Sequence, residues 1–155
     1  MSVTFADLKK HYPLKDRKQL YDDLGGEWPG LVNDPNYQNT CAIRLSVALK
    51  SNNMKIGDTY KEAIEGDGSP LIIKVKTMGK FVSDTFGTSY WGMSKNPGDE
   101  IGKDDLPKAS GVIVYHADWA DATGHFDLWT GSSFVGTGTL GDVADGFALE
   151  LWKID

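Results

Sequence analysis

The sequence contains a single cysteine among its 155 residues, and this scarcity excludes several kinds of protein. One cysteine can form neither an internal disulfide nor a cysteine-based zinc site. Any importance of Cys41 therefore comes from packing in the core or from the chemistry of a reactive thiol. A chain of this length has about the size of one domain and can bury a core without disulfides or metals. We expect residues 1–155 to form a single domain.

Long apolar runs and an excess of basic residues are also missing. No stretch approaches the roughly 18 consecutive apolar residues of a membrane span, and the start, MSVTFADLKKHYP, lacks the apolar run of a signal peptide. We therefore expect no membrane partner and no export by a cleaved signal. The 16 Lys and Arg residues are outnumbered by 22 Asp and Glu, which gives a formal net charge of -6. This charge argues against a nucleic-acid partner, whose phosphates require clustered basic residues.

The first two thirds of the chain have the patterns of helices and loops. Residues 4–24 predict one or two short surface helices, and the Gly-, Pro- and Asn-rich residues 25–39 predict a loop. CAIRLSVALK, residues 41–50, has the periodicity of a mostly buried helix. Residues 71–76 (LIIKVK) alternate like a strand, and residues 77–86 predict a short helix stopped by Gly87.

The last third has the alternation of β-strands. The strands are predicted at residues 111–117, 124–130, 132–138 and 147–154. Helices followed by antiparallel strands indicate the α+β class, with N-terminal helices packed on one side of a C-terminal antiparallel sheet.

Cys41 lies at the predicted N-terminus of the first buried helix, after a capping Asn39 or Thr40. The partial positive charge of a helix N-terminus lowers the pKa of a thiol and favours the nucleophilic thiolate. The N-H groups of the first turn, including that of Cys41, can also stabilise an oxyanion. Free cysteine is equally common as a buried core residue, so the helix alone leaves both interpretations open.

His125 is the best candidate for the general base that a cysteine nucleophile requires. It begins a predicted strand, and Asp127, two residues later, leaves the same face of that strand and can orient the imidazole. Asp127 can equally be a structural acid. His116 precedes a polar loop and His11 lies in the charged N-terminal segment, so both rank below His125.

Other patterns are weaker. Adjacent carboxylates at residues 22–23 and 104–105 do not share a face, so they do not indicate the paired catalytic carboxylates of a glycosidase. We interpret them as parts of solvent-exposed surfaces. The run GTGTLGD at residues 136–142 has no Lys and no predicted following helix, which indicates strand turns and not a phosphate loop. His116, Asp118, Asp121 and His125 lack a standard ligand spacing. We expect no metal and no cofactor.

Several stretches of the chain form a more specific pattern than Cys41 and His125 alone. A cysteine at a buried helix N-terminus followed much later by a histidine on a strand is the arrangement of papain-like and NlpC/P60-like hydrolases. The more specific residues pair N-x-C-x-[IV]-R-x-S with GH-x-x-LW and span most of the chain. They are GG at 25–26, NTCAIRLSVAL at 39–49, GVIVYHADWADATGHFDLW at 111–129 and the closing LELWKI. Together these stretches resemble the fourth family of type VI secretion amidase effectors.

The resemblance implies a cysteine peptidase or amidase with Cys41 as nucleophile and His125 as base. It would cut the γ-D-glutamyl to meso-diaminopimelate bond of peptidoglycan stem peptides as an antibacterial toxin. The protein would be made in the cytoplasm, secreted by a type VI apparatus into the periplasm of a neighbouring bacterium, and blocked by a cognate immunity protein. The family's third catalytic residue, an Asp on the strand after the histidine, aligns with Gly136. Asp127 is the nearest replacement on the same face, and Asp142 lies a little beyond the expected position.

Two further questions stay open at the level of sequence. Trp28, Tyr37 and Trp91 are candidates for the walls of a substrate groove, although aromatic residues more often pack in the core. A non-catalytic cell-wall-binding module, with Cys41 and His125 as structural residues, is the main rival function. A Cys-His hydrolase or acyltransferase that acts on another γ-glutamyl amide or on a protein is the second.

Overall fold

A computed structural model describes residues 3–119 and 123–155 of the chain. Five α-helices, three short 3-10 helices and six strands form this part of the chain. The helices are α1 (Phe5–His11), α2 (Arg17–Leu24), α3 (Cys41–Ser51), α4 (Val75–Phe86) and α5 (Leu140–Asp145). The strands are β1 (Ala63–Ile64), β2 (Pro70–Leu71), β3 (Trp91–Ser94), β4 (Gly111–His116), β5 (Gly124–Trp129) and β6 (Ala148–Lys153).

The central element is a four-stranded antiparallel sheet with the strand order β3-β6-β4-β5. The strands β3 and β5 therefore form its two edges, and β1 pairs with β2 in a separate small ribbon. Side chains from β4, β5 and β6 alternate between the two faces, as the period of a strand requires. One face contributes Val112, Val114, Phe126 and Leu128 to a core shared with α1, α3 and α4.

The opposite face of the sheet is also covered. Ile113, Tyr115, Leu149 and Leu151 pack there with Val143 of α5. The α+β class and the antiparallel sheet are confirmed. The N-terminal helices α1, α3 and α4 pack on the first face as expected, whereas α5, which was not predicted, covers the second face.

Local interactions set the ends of the N-terminal helices. Thr4 caps α1 by accepting from the N-H of Asp7 at 3.1 Å, and Asp16 caps α2 by accepting from the N-H of Gln19 at 2.9 Å. Gly25 and Gly26, with φ of 73° and 58°, end α2 in left-handed conformations. A Cβ on Gly26 would lie 3.1 Å from the Cα of Gly66, so this close approach also favours glycine.

Two predicted strands are wrong. Of residues 71–76, only Leu71 lies in a strand, and α4 begins at Val75, because the Glu62 carboxylate accepts from the N-H groups of Ile73 and Lys74, each at 2.9 Å. Residues 132–138 form a loop with a single bridge between Trp129 and Phe134. The strands β1 and β3 were not predicted, and α5 begins within the glycine-rich run, at Leu140, where no helix was expected.

No helix among residues 3–119 and 123–155 combines the length and the apolar character needed to cross a bilayer.

Candidate active site

Cys41 is the first residue of α3, as the sequence predicts. Its backbone N-H donates to Oδ1 of Asn39 at 3.2 Å, and its residue surface is only 3% exposed. The first helical hydrogen bond runs from the N-H of Arg44 to the carbonyl of Thr40 at 2.8 Å. The N-H of Cys41 is therefore already engaged, and the N-H groups of Ala42 and Ile43 remain as the candidates for an oxyanion site at this helix end.

Arg44 and Ser46 anchor the start of α3 to distant segments. The guanidinium of Arg44 donates to the carbonyls of Pro13 (2.9 Å) and Lys15 (2.6 Å) and to Oγ1 of Thr40 (2.8 Å). The buried Ser46 hydroxyl donates to the carbonyl of Ala42 at 2.8 Å and accepts from the N-H of Ile72 at 3.1 Å. The Arg and Ser of the N-x-C-x-[IV]-R-x-S pattern thus hold the helix that carries the thiol.

His125 lies on the edge strand β5, opposite Tyr115 of β4. The preceding Gly124 has a φ of 155°, and a Cβ on it would lie 2.4 Å from the carbonyl oxygen of Tyr115. Only glycine permits this approach of the two strands. The Tyr115 and His125 rings pack with their centroids 5.3 Å apart, and the His125 side chain is 13% exposed. The imidazole is therefore held by the sheet and largely shielded from solvent.

Asp127 is fully buried beside His125 and accepts four hydrogen bonds. Its Oδ2 accepts from Nε2 of His125 at 3.0 Å and from the N-H of Gly138 at 2.8 Å. Its Oδ1 accepts from the N-H groups of Leu128 at 2.8 Å and Gly136 at 2.7 Å. Four donors compensate the cost of burying this carboxylate. The same-face pairing of His125 and Asp127 agrees with the spacing in the sequence.

Gly136 stands where the family's third catalytic residue aligns, but in this structure it provides space for Asp127. A Cβ on Gly136 would lie 2.8 Å and 3.1 Å from the two carboxylate oxygens of Asp127. Asp127 therefore occupies the space into which a side chain at position 136 would project. Asp142, the other candidate acid, lies in the first turn of α5, and the carboxylate bonded to His125 is that of Asp127.

Hydrogen bonds and charge raise the pKa of His125. Burial works to lower this pKa, but the hydrogen bonds of the ring with Asp127 and Cys41, and the charges of these two residues, raise it to about 9. Because Nε2 is bonded to Asp127, Nδ1 is the nitrogen that remains for Cys41. The His125 ring therefore has the Asp127 carboxylate and the Cys41 thiol beside it, where the N-terminus of α3 meets the edge of the sheet, and we call these three residues the relay. This arrangement can activate a thiol and protonate a leaving group.

Two buried tyrosines border the relay, and sequence reasoning missed both. The Tyr12 hydroxyl lies 2.9 Å from the Cβ position of Gly136 and has no hydrogen-bond partner among the described residues. Burial and the charges of Asp127 and Cys41 raise the pKa of Tyr12. The pKa of Tyr115 is also raised, mainly by burial. Nothing in the charged segment around Tyr12 distinguishes it, since only the tertiary fold brings it to the site.

The three aromatic residues expected to bind substrate are not brought together. Trp28 is 2% exposed, packs edge-on between Tyr21 and Tyr37, and donates from Nε1 to the carbonyl of Ile64 at 2.7 Å. Trp28 and Tyr37 border a cavity of about 420 Å³. Trp91 borders a separate cleft of about 880 Å³ along β3, at the sheet edge opposite to His125. The contacts of Trp28 are those of a core residue.

The remaining histidines lie outside the relay. His116 approaches Oε1 of Glu150 at 3.7 Å, and Nδ1 of His11 lies 3.0 Å from the carbonyl of Asp7. Within the described part of the chain, no three His, Cys, Asp or Glu residues are grouped so as to hold a metal ion. Asp121, one member of the metal cluster considered from the sequence, lies outside the described residues.

The fold and the placement of these side chains define a class of protein. A helix that begins at Cys41 packs beside an antiparallel sheet whose edge strand carries His125, which is the papain-like α+β arrangement. The profile of the family described as type VI secretion system (T6SS), amidase effector protein 4 (Tae4), matches residues 37–151, which include the whole relay. The chain belongs to this family, as the resemblance implied.

Solved structures of Tae4 effectors share the fold. The effector Tae4 from Salmonella typhimurium, in complex with the immunity Tai4 from Enterobacter cloacae, matches with a TM-score of 0.83 at 21% identity, over 98% of this chain and 99% of that chain. The effector Tae4 from Enterobacter cloacae matches with a TM-score of 0.82 at 20% identity, over 100% and 98% of the two chains. A comparison with curated protein sequences finds no match.

Proposed function

We propose that this amidase effector hydrolyses the γ-D-glutamyl to meso-diaminopimelate bond of peptidoglycan stem peptides with Cys41 as its nucleophile. The observation that carries the proposal is the relay of Cys41, His125 and Asp127, in which a buried carboxylate orients a largely buried imidazole toward a thiol at a helix N-terminus. Membership of the amidase effector family supports peptidoglycan as the substrate.

The reaction begins with transfer of the Cys41 proton to Nδ1 of His125. This transfer produces a thiolate and imidazolium pair before the substrate binds, and the raised pKa of His125, about 9, favours the imidazolium near pH 7. The thiolate attacks the γ-carbonyl carbon of D-glutamate, and the N-H groups of Ala42 and Ile43 stabilise the oxygen that becomes negative. His125 then returns its proton to the diaminopimelate nitrogen, the C-N bond breaks, and the amine leaves.

Water completes the cycle. The first half-reaction leaves a thioester between Sγ of Cys41 and the γ-carbonyl of D-glutamate, with His125 neutral. His125 takes a proton from water as the hydroxyl oxygen attacks this carbonyl, and the bond to Sγ breaks. Asp127 keeps Nε2 protonated throughout, so that Nδ1 is always the nitrogen that exchanges the proton.

Membership of the family supports a biological setting for this protein. We propose that the protein is delivered by a type VI apparatus into the periplasm of another bacterium and acts there on the cell wall. Tae4 effectors from Salmonella typhimurium and Enterobacter cloacae are found in complexes with Tai4 immunity proteins. A cognate immunity protein that blocks the enzyme in the producing cell is therefore the expected partner of this chain.

Digestion of purified Gram-negative peptidoglycan, with the soluble fragments identified by mass spectrometry, tests the proposal. The wild type should release fragments with a new α-amino group on diaminopimelate. His125→Ala should release at least about a hundredfold less, given the usual size of general-base effects. His116→Ala is the matched control, because His116 lies outside the relay, and should cleave as the wild type does.

Other results would redirect the assignment. Release of fragments cut at a different bond would be compatible with the Cys-His mechanism but would reject the assigned substrate bond. A wild type that binds the sacculus without releasing fragments would reject the enzyme and favour the cell-wall-binding module. Equal losses of cleavage in His125→Ala and His116→Ala would reject His125 as the general base.

A further inference from the structure

The loop after β5 binds the carboxylate of Asp127 with two backbone N-H groups. Gly136 donates to Oδ1 at 2.7 Å and Gly138 donates to Oδ2 at 2.8 Å. The two glycines flank Thr137, and their N-H groups converge on one anion in the manner of a backbone nest. We call these two N-H groups, with the space in front of them, the carboxylate cradle. The glycine-rich run therefore does bind an anion, and that anion is a side chain of the same protein.

At both positions the neighbouring atoms lie too close to leave room for a side chain. A Cβ on Gly136 would lie 2.8 Å from Oδ1 of Asp127 and 2.9 Å from the Tyr12 hydroxyl. A Cβ on Gly138 would lie 2.8 Å from Oδ2 of Asp127 and 2.7 Å from the Phe134 ring. Neither glycine has a left-handed φ, so the backbone itself would accept alanine. The conflict arises because the Asp127 carboxylate, together with Tyr12 at position 136 and Phe134 at position 138, occupies the space that a side chain would need.

We propose that Gly136 and Gly138 are positioning residues of the active site, whose N-H groups and missing side chains together hold Asp127 against His125. This inference rests on the proposed function, in which His125 serves as base and acid. The two oxygens of Asp127 have different surroundings in the cradle, because Gly138 donates to the same Oδ2 that accepts from His125. A group placed on Gly138 therefore acts directly on the oxygen that orients the imidazole.

Gly138→Ala should push Oδ2 away from Nε2 of His125 without removing any charge. A weaker bond to Asp127 removes part of what raises the pKa of His125, so this pKa should fall from about 9 toward the ordinary value. We expect a decrease of at least half a unit, measured by NMR titration of the imidazole, and a decrease of about tenfold or more in kcat/KM on peptidoglycan fragments.

Gly141→Ala is the matched control in the same part of the chain. Its Cβ would meet only Oγ1 of Thr139 at 3.7 Å, an ordinary contact, and its φ also accepts alanine. The pKa of His125 and the cleavage rate should stay unchanged in this variant. The NMR readout needs no substrate, so a wild type that fails to cut peptidoglycan would reject the proposed function while leaving the cradle testable.

A double-mutant cycle shows whether Gly138 acts through Asp127. In an Asp127→Ala background the conflict with Oδ2 is gone. Gly138→Ala should then cause no further decrease in the pKa of His125, and it should lower Tm by less than it does when Asp127 is present. An unchanged His125 pKa in folded Gly138→Ala would overturn the proposal. So would equal effects of Gly138→Ala with and without Asp127.

A second variant covers the case in which Gly138→Ala fails to fold because of Phe134. Gly136→Ala combined with Tyr12→Phe removes the hydroxyl near the new methyl group and leaves the Asp127 oxygens as its closest neighbours. This variant should lower the pKa of His125 relative to Tyr12→Phe alone. Equal pKa values in the two variants would reject the cradle.

Discussion

The substitution Asp127→Asn keeps the volume of the side chain and removes its charge. Asp127 accepts four hydrogen bonds, two on each oxygen. An asparagine can keep its oxygen toward Leu128 and Gly136, but its NH₂ group then faces the N-H of Gly138. A buried donor without a partner costs about 1–3 kcal/mol, so the free energy of unfolding should fall by that amount.

The same NH₂ group reverses the hydrogen bond to the imidazole. It favours a His125 ring without a proton on Nε2, which places the proton of the neutral ring on Nδ1, toward Cys41. A general base with its proton on this nitrogen cannot accept one from the thiol. Loss of the correct tautomer reduces turnover by about 10⁴-fold in a serine triad. We expect a decrease of at least about 10²-fold in kcat/KM here, because the thiolate and imidazolium pair depends less on a neutral base.

The pKa of His125 should change by a measurable amount. A hydrogen bond to a charged group contributes about 1.5–3 kcal/mol, and 1.36 kcal/mol corresponds to one pKa unit. Removal of the Asp127 charge should therefore lower the His125 pKa from about 9 by about one to two units. NMR titration of the imidazole resonances measures this shift, with His11 and His116 as internal references. An unchanged His125 pKa together with a kcat/KM within threefold of wild type would refute the reasoning.

Three further perturbations test other parts of the account. Because the pKa of His125 is raised from 6.5 to about 9, its contribution to stability is complete below pH 6.5 and is lost as the pH rises to about 9. Chemical denaturation should show the stability difference between wild type and His125→Gln shrinking over this range by up to about 3 kcal/mol; a constant difference would contradict the shift. Arg44→Ala removes a charged donor from the carbonyls of Pro13 and Lys15 and should lower the free energy of unfolding by about 2–3 kcal/mol. Arg44→Lys should recover less than half of this loss, since an ammonium lacks the planar fork. Trp28→Ala should lower the free energy of unfolding by about 3–5 kcal/mol, as for a core residue; a stable variant with only a raised KM would instead support a substrate wall.

The parts of the fold that follow from short-range patterns could be predicted from the sequence. The start of α3 at Cys41, the end of α4 before Gly87, and the strands β4, β5 and β6 all agree within one or two residues. Periodicity and capping residues determine these elements locally. The placement of Asp127 next to His125 followed from the two-residue period of a strand, and the structure shows this contact directly.

Long-range interactions produced the errors. Glu62 accepts from backbone N-H groups at residues 73 and 74, so a segment that alternates like a strand becomes the start of a helix. Asp127 takes the N-H groups of Gly136 and Gly138 that a strand at residues 132–138 would have used in a ladder. In both cases a carboxylate distant in the sequence competes with regular structure for backbone donors. A pattern within a short window contains no information about these partners.

The sequence identified only some of the residues around the relay. Gly136 looked like the loss of a catalytic acid, whereas its N-H group and its missing side chain accommodate the buried carboxylate of Asp127. Tyr12 comes from a segment to which no chemistry was assigned, because charged residues surround it in the sequence. Trp28 was considered for a groove because it lies in a loop, and its burial between two aromatic rings became visible only in the fold.

The central claim is that Cys41 is the nucleophile, and the most direct test compares wild type with Cys41→Ala on a defined disaccharide-tetrapeptide. Both proteins should have the same fold by circular dichroism, since the substitution removes one sulfur atom at the beginning of α3. The account predicts cleavage between D-glutamate and diaminopimelate by the wild type and no cleavage above the uncatalysed rate by Cys41→Ala. Cleavage of the same bond by Cys41→Ala at a rate within tenfold of wild type would contradict the account.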